Sequence, residues 1–79
     1  MIRRALTQDG VEIAIRMLDD AFMTWSLACT ECRTALRVWF DAPPGERAAA
    51  RWAYRAALDR EEAAARDLER LTAMSQAGG

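Results

Sequence analysis

The sequence contains no histidine, no lysine and no asparagine. Without histidine, the chain lacks the commonest metal ligand and the usual general base at neutral pH. This absence excludes a Ser-His-Asp triad, a His-bearing zinc site, a C-x-x-C-H haem attachment and the Glu-x-x-His pairs of di-iron bundles. We therefore expect a protein that is not an enzyme and that carries no cofactor.

Long apolar runs are also lacking. The longest are far shorter than the ~18 residues that identify a membrane-spanning helix. Arg3 and Arg4 stand near the N-terminus, but no apolar stretch typical of a secretory signal follows them. The two cysteines then fit a reducing compartment, where a structural disulfide is not expected. These features predict a cytoplasmic protein with no membrane partner.

One strong break divides the sequence, at residues 41–46, Asp-Ala-Pro-Pro-Gly-Glu. A proline and the residue before it do not continue a helix, whereas proline is well suited to the first position of a new one. We therefore predict a helix over 11–40, a turn over 41–44 and a second helix over 44–75. No segment alternates in the manner of a strand. The expected fold is all-α, an antiparallel two-helix hairpin.

The ends of the hairpin are predicted from local signals. Asp9 and Glu12 are spaced as in a capping box, with Asp9 as the N-cap of the first helix. Residues 1–9 are accordingly expected to form an N-terminal arm, residues 10–76 the hairpin and residues 77–79 a frayed tail.

The first helix carries a continuous apolar seam with spacings of 4 and 3 residues, as in a coiled coil. Its members are Val11, Ile15, Leu18, Phe22, Trp25, Cys29, Cys32, Leu36 and Trp39. Alanines recur every seventh residue beside it, at positions 14, 21, 28 and 35. Small residues there allow a neighbouring helix to approach closely.

The second helix has a matching seam with the same spacing. Its members are Ala50, Tyr54, Ala57, Glu61, Ala64, Leu68 and Leu71. In an antiparallel hairpin with its turn near residue 43, Trp25 should lie near Glu61, Cys29 near Ala57 and Cys32 near Tyr54. Glu61 is the only charged residue on either seam, so it must pair, become protonated or reach solvent.

Two helices alone enclose no interior, and chains of this length usually need disulfides, metal or partners for stability. The apolar arc of the first helix is wide enough to meet two neighbours, so we expect two hairpins to form a four-helix bundle as a homodimer. The expected interface residues are Phe22, Trp25, Leu36, Trp39, Trp52 and Leu68.

The charges are balanced overall but are unevenly distributed. Eleven arginines against twelve acidic residues give a net charge of −1, and this balance predicts no nucleic-acid partner. Residues 33–56 hold five arginines and two acidic residues, whereas the rest holds six arginines and ten acidic residues. The hairpin is therefore expected to be a dipolar rod, and two such rods attract when packed antiparallel.

Cys29 and Cys32 form the only recognisable short motif, C-x-x-C. Lying far inside a helix, they lack the helix N-terminus that activates the thiols of thioredoxin-like proteins. We expect small apolar residues of a tight seam. Two alternatives stay open: zinc or an iron–sulfur cluster shared across a dimer, with Glu61 as a further candidate ligand, and a redox-responsive thiol pair.

The sequence thus predicts a non-enzymatic oligomerisation or adaptor module. A thiol-based metal-binding or redox-responsive bundle is one alternative. A small accessory subunit of a larger complex is another, with Trp52 and the neighbouring Arg47, Arg51 and Arg55 as a docking patch for an acidic partner.

Overall fold

Two long helices joined by a short turn make up the computed structural model, which describes the backbone of residues 2–77 and the side chains of residues 10–74 and 76. Helix α1 is Ile2–Asp41, a 3-10 turn is Pro44–Glu46, and helix α2 is Arg47–Ala77. No strand occurs between residues 2 and 77. The predicted all-α hairpin is confirmed.

The turn follows from its two prolines. Pro43 adopts an extended conformation, with φ −65° and ψ 159°, because the following Pro44 disfavours a helical conformation there. The backbone amide of Ala42 donates to the carbonyl of Trp39 at 3.2 Å, and that of Glu46 donates to the carbonyl of Pro43 at 2.9 Å. These two bonds close the chain reversal, so α2 begins within a few residues of the end of α1.

The start of the first helix was predicted wrongly. Helix α1 begins at Ile2, so the predicted arm over residues 1–9 and the start at residue 11 are corrected. A single glycine in a helix is unfavourable by only about 1 kcal/mol, and the helix continues through Gly10. At the other end α2 includes Ala77. The rest of the predicted tail, residues 78–79, lies outside the described residues.

The face of α1 that contacts α2 is also rotated relative to the predicted seam. The buried or half-buried residues on this face are Ala14, Leu18, Ala21, Trp25, Ala28, Cys32, Ala35 and Trp39. Four predicted seam residues are instead exposed, namely Val11, Ile15, Phe22 and Leu36, with 45–55 % of their surface accessible. Alanine explains the rotation, because helix backbones approach most closely along a line of methyl groups.

The predicted seam of α2 is confirmed. Ala50, Ala57 and Ala64 are buried, and the intervening seam residues Tyr54 and Glu61 are half-buried. Leu68 and Leu71 are half-buried as well. Alanines of both helices thus meet along one line, and the larger side chains between them close its edges.

The resulting molecule is a thin rod measuring 66 × 16 × 12 Å. The buried apolar residues of the described part are Ala28, Ala50, Ala57 and Ala64, and no large side chain there is fully buried. A single hairpin therefore removes methyl groups from water but leaves most of its larger apolar side chains in contact with solvent.

Candidate functional site

The most prominent surface feature is a line of apolar side chains along one side of α1, which we call the apolar row. It consists of Ile15, Phe22, Cys29 and Leu36, spaced every seven residues. Ile15, Phe22 and Leu36 are 53 %, 55 % and 45 % exposed, and Cys29 is half-buried. Residues seven apart lie on one side of a helix. The row is therefore a continuous apolar strip that runs lengthwise along the hairpin.

Helix α2 extends this strip at the centre of the hairpin. The Sγ of Cys29 lies 4.0 Å from Oε1 of Glu61, so this edge of α2 borders the apolar row. Leu58 and Ala65, about one turn before and after Glu61, are both half-buried. The open face of the hairpin on this side is thus apolar on both helices, with one carboxylate at its middle.

The opposite open face has a different character because it carries an ion pair. The Nε of Arg60 lies 3.4 Å from Oε2 of Glu31, and both side chains are more than half exposed. An ion pair so open to water contributes little to stability. Met17 and Val38 are exposed on α1, but their heptad positions alternate with Thr24 and Glu31. An uninterrupted apolar row is therefore found only on the Cys29 side of the described part of α1.

A small polar cluster lies where the two helices meet. The indole Nε1 of Trp25 donates a hydrogen bond to Oε1 of Glu61 at 2.9 Å, and the Cys29 thiol approaches the same oxygen at 4.0 Å. The Trp25 ring also packs on Phe22, with ring centres 5.8 Å apart. The predicted proximity of Trp25 and Glu61 is thus confirmed. The carboxylate accepts from these local donors, and Glu61 remains accessible to solvent because it is only half-buried.

The second thiol, Cys32, lies in surroundings that favour its protonated form. Partial burial raises the pKa of Cys32, and the nearby Glu61 carboxylate and Cys29 add to this rise. Because the thiolate is the form that attacks electrophiles and binds metals, this environment disfavours both roles. Among the described residues, no three His, Cys, Asp or Glu side chains are arranged to hold a metal ion. A metal site completed by a second chain stays a prediction.

The six predicted interface residues fall into two groups. Trp25, Trp39 and Leu68 are half-buried at the contact between α1 and α2, where Trp39 packs on Tyr54 with ring centres 5.7 Å apart. Phe22, Leu36 and Trp52 are exposed, and Trp52 has 70 % of its surface accessible. The first group holds the hairpin together, whereas the second remains available to another molecule.

An open groove of about 740 Å³ lies beside the turn. Arg37, Asp41 and Glu46 contribute the charged groups of its lining. Thr34 and Pro43 also line the groove. This lining offers no cysteine, serine or histidine as a nucleophile or general base. Its acid–base groups are the carboxylates of Asp41 and Glu46.

Comparisons with known proteins give no information on function, so the functional argument rests on the fold and on the surfaces described above. No family model matches the chain, and neither the curated proteins nor the solved structures include a significant match. Neither helix, over its described residues, offers an apolar stretch long enough to cross a membrane.

Proposed function

We propose that this chain is a non-enzymatic assembly module of the cytoplasm, a helical hairpin that pairs with a second copy to form a four-helix bundle. The observation that carries the proposal is the exposed apolar row on α1, with Phe22 and Leu36 as its largest members. Apolar side chains aligned in this way along a helix are typical of a helix-to-helix contact.

The exposed area supports this proposal. The chain has 6747 Å² of accessible surface. A folded monomer of 8.8 kDa is expected to expose roughly 4,800 Å² from the scaling of surface with mass. The excess is on the order of 2,000 Å², whereas a standard protein interface buries roughly 800 Å² on each partner. One dimer contact is therefore well within the surface that the hairpin leaves uncovered.

The composition of the hairpin contact supports it as well. The buried residues of the described part are all alanines, and alanine has little apolar surface to remove from water. Packing a second hairpin on the apolar row would bury Phe22 and Leu36, side chains that each contribute about 1.5–3 kcal/mol when fully removed from water. Association thus supplies the apolar burial that the single hairpin lacks.

The test is the oligomeric state of matched variants. We expect the wild-type chain to be a dimer by sedimentation velocity and native mass spectrometry. Phe22→Glu should shift the population to monomer, because it places a charge in the contact. Met23→Glu, at an exposed position of 62 % accessibility outside the row, is the control and should remain dimeric. A cooperatively folded wild-type monomer at high concentration would contradict the proposal.

Trp52 favours a second candidate, a small accessory subunit of a larger complex. Its indole is 70 % exposed, and Arg51 and Arg55 are exposed beside it. Exposed tryptophan and arginine are enriched where proteins bind one another. If this candidate holds, a purified partner isolated from the source cells should bind the wild-type hairpin and lose affinity for Trp52→Ala. The dimer itself should be unaffected by that substitution.

The thiol-based alternative has less support, because the raised pKa of Cys32 lowers its thiolate fraction. Elemental analysis of anaerobically purified protein distinguishes a metal-binding bundle from an assembly module without metal. Zinc or iron bound in a fixed ratio to the chain, and lost in Cys29→Ser, would favour the metal-binding alternative over an assembly module without metal.

A further inference from the structure

We propose that the second copy packs on the apolar row with its α1 antiparallel to α1 of the first chain, so that the two turns lie at opposite ends of the bundle. This inference rests on the proposed dimerisation through the apolar row and adds the direction and the alignment of the contact. We take the partner to be a second copy of the chain, because an identical row running antiparallel would bring residues of opposite charge to the charged residues beside this row.

Two oppositely charged residues flank the apolar row on the outer side of α1. Asp19 lies four residues after Ile15 and three before Phe22, while Arg33 stands in the same relation to Cys29 and Leu36. Residues three and four apart are neighbours on a helix, so both charges border the row. Both side chains are exposed. The border is therefore acidic toward the start of α1 and basic toward the turn.

The border on α2 has the same polarity. Arg51 and Arg55 lie near the turn, whereas Glu62 and Glu69 lie toward the far end of the helix, and all four are exposed. The α1 and α2 borders of this face are thus basic near the turn and acidic away from it. Stacking two hairpins with their turns together would bring like charges into proximity, whereas turning one hairpin around brings opposite charges together.

The spacing of the row sets the alignment. Its midpoint falls between Phe22 and Cys29. When two copies of α1 are centred there and run antiparallel, Ile15 lies across from Leu36 of the second copy, and Phe22 lies across from its Cys29. In the same alignment Asp19 is offset from Arg33 of the second copy by one residue, about 1.5 Å along the helix axis. The long arginine side chain spans this offset, and the symmetry of the dimer repeats the pair. One two-fold arrangement therefore satisfies both the apolar and the charged positions.

The experiment exchanges these charges between chains. Asp19→Arg and Arg33→Asp each replace two attractive pairs with two repulsive ones, so each variant alone should dimerise about tenfold more weakly. Mixed in equal amounts, they should form a heterodimer about as tight as the wild-type dimer. In that heterodimer the substituted position 19 of one chain faces the substituted position 33 of the other, and the native Asp19 faces the native Arg33. Each of the two pairs therefore joins opposite charges. The double variant D19R/R33D should also recover wild-type affinity. Native mass spectrometry measures all of these species.

The control pair separates a specific contact from the effect of net charge. Asp59 and Arg66 are exposed and seven residues apart on α2, on the side turned away from α1. Asp59→Arg and Arg66→Asp change the net charge by the same amounts and should dimerise like the wild type, without preference for the mixed species. Equal preference in both mixtures would overturn the proposed alignment.

The outcomes distinguish this inference from the proposed function. If the wild type and all variants are monomeric, then dimerisation itself fails. If the wild type is a dimer that Asp19→Arg and Arg33→Asp leave unchanged, then the assembly module stands and the antiparallel contact through this row is wrong.

Discussion

Trp25 and Glu61, thirty-six residues apart in the chain, are joined by a hydrogen bond of 2.9 Å from the indole Nε1 to Oε1. Because Glu61 is only half-buried, its carboxylate retains access to water while holding the two helices together. Glu61→Ala should lower the free energy of unfolding by about 1–2 kcal/mol, since Trp25 loses a charged acceptor. Glu61→Gln should have a smaller effect, because the amide oxygen can still accept the bond.

Urea unfolding followed by far-UV circular dichroism measures both effects. All variants must be compared at one protein concentration, since dimerisation makes stability depend on concentration. Glu62→Ala is the control, as Glu62 is exposed on the same helix and should change stability little. A Glu61→Ala variant as stable as this control would show that the indole bond does not stabilise the hairpin.

Ala57, the most buried of the alanines between the two helices, gives the second prediction. Ala57 is 1 % exposed, whereas its neighbour Ala56 is exposed. Ala57→Leu should lower the free energy of unfolding by about 1–3 kcal/mol, because the larger side chain forces the helices apart. Ala56→Leu has nearly the same helix propensity and should be close to neutral. Thermal unfolding of the two variants side by side makes the comparison, and equal stabilities would argue against the alanine contact.

Gly10 gives the third prediction, which tests the continuity of α1. A Cβ added at this position meets no atom within 4 Å. Gly10→Ala should therefore raise the free energy of unfolding by about 0.5–1 kcal/mol, through the lower conformational entropy of the unfolded chain. Chemical denaturation measures the gain. No gain would be expected if the helix began after Gly10, as the sequence signals at Asp9 and Glu12 had indicated.

The Cys32 thiol gives the fourth prediction. Its pKa is raised in the folded protein, mainly by partial burial, so folding favours the protonated form. This contribution to stability is fully present below the pKa of the thiol in the unfolded chain and is lost as the pH rises through the higher folded-state pKa. The difference in stability between the wild type and Cys32→Ala should therefore decrease in alkaline solution. Urea unfolding at several pH values measures this change.

Alkylation gives an independent readout of the same thiol. In Cys29→Ala, where Cys32 is the sole thiol, iodoacetamide should react more slowly with the folded protein than with the urea-unfolded chain, because the thiolate is the reactive form. Equal rates at the same pH would contradict the raised pKa.

The sequence was sufficient to predict the turn and the contact face of α2. Pro43 and Pro44 restrict the backbone through local sterics alone, so the chain reversal could be placed without tertiary information. The α2 face could be predicted because its seam and its alanines coincide at Ala50, Ala57 and Ala64. The Trp25–Glu61 contact then followed from the antiparallel pairing.

The face of α1 was harder to predict, because this helix is apolar around much of its circumference. Hydrophobic spacing favoured Ile15, Phe22 and Leu36 as contact residues, whereas the structure places Ala14, Ala21 and Ala35 there. Packing the small alanines, which lets the two backbones lie close together, was favoured over burying the larger apolar side chains. The spacing of apolar residues in the sequence does not show which of the two faces is favoured. Asp19 and Arg33 were missed for a related reason, since their place beside the apolar row is evident only once that row is known to be exposed.

The line of buried alanines has one more consequence, which concerns slippage. Methyl groups that recur every seven residues match their neighbours equally well after a shift of one heptad, about 10 Å along the axis at 1.5 Å per residue. The alanines determine the distance between the helices but not their register. The short turn fixes the register at one end, and the Trp39–Tyr54 stack and the Trp25–Glu61 hydrogen bond fix it toward the middle of the hairpin.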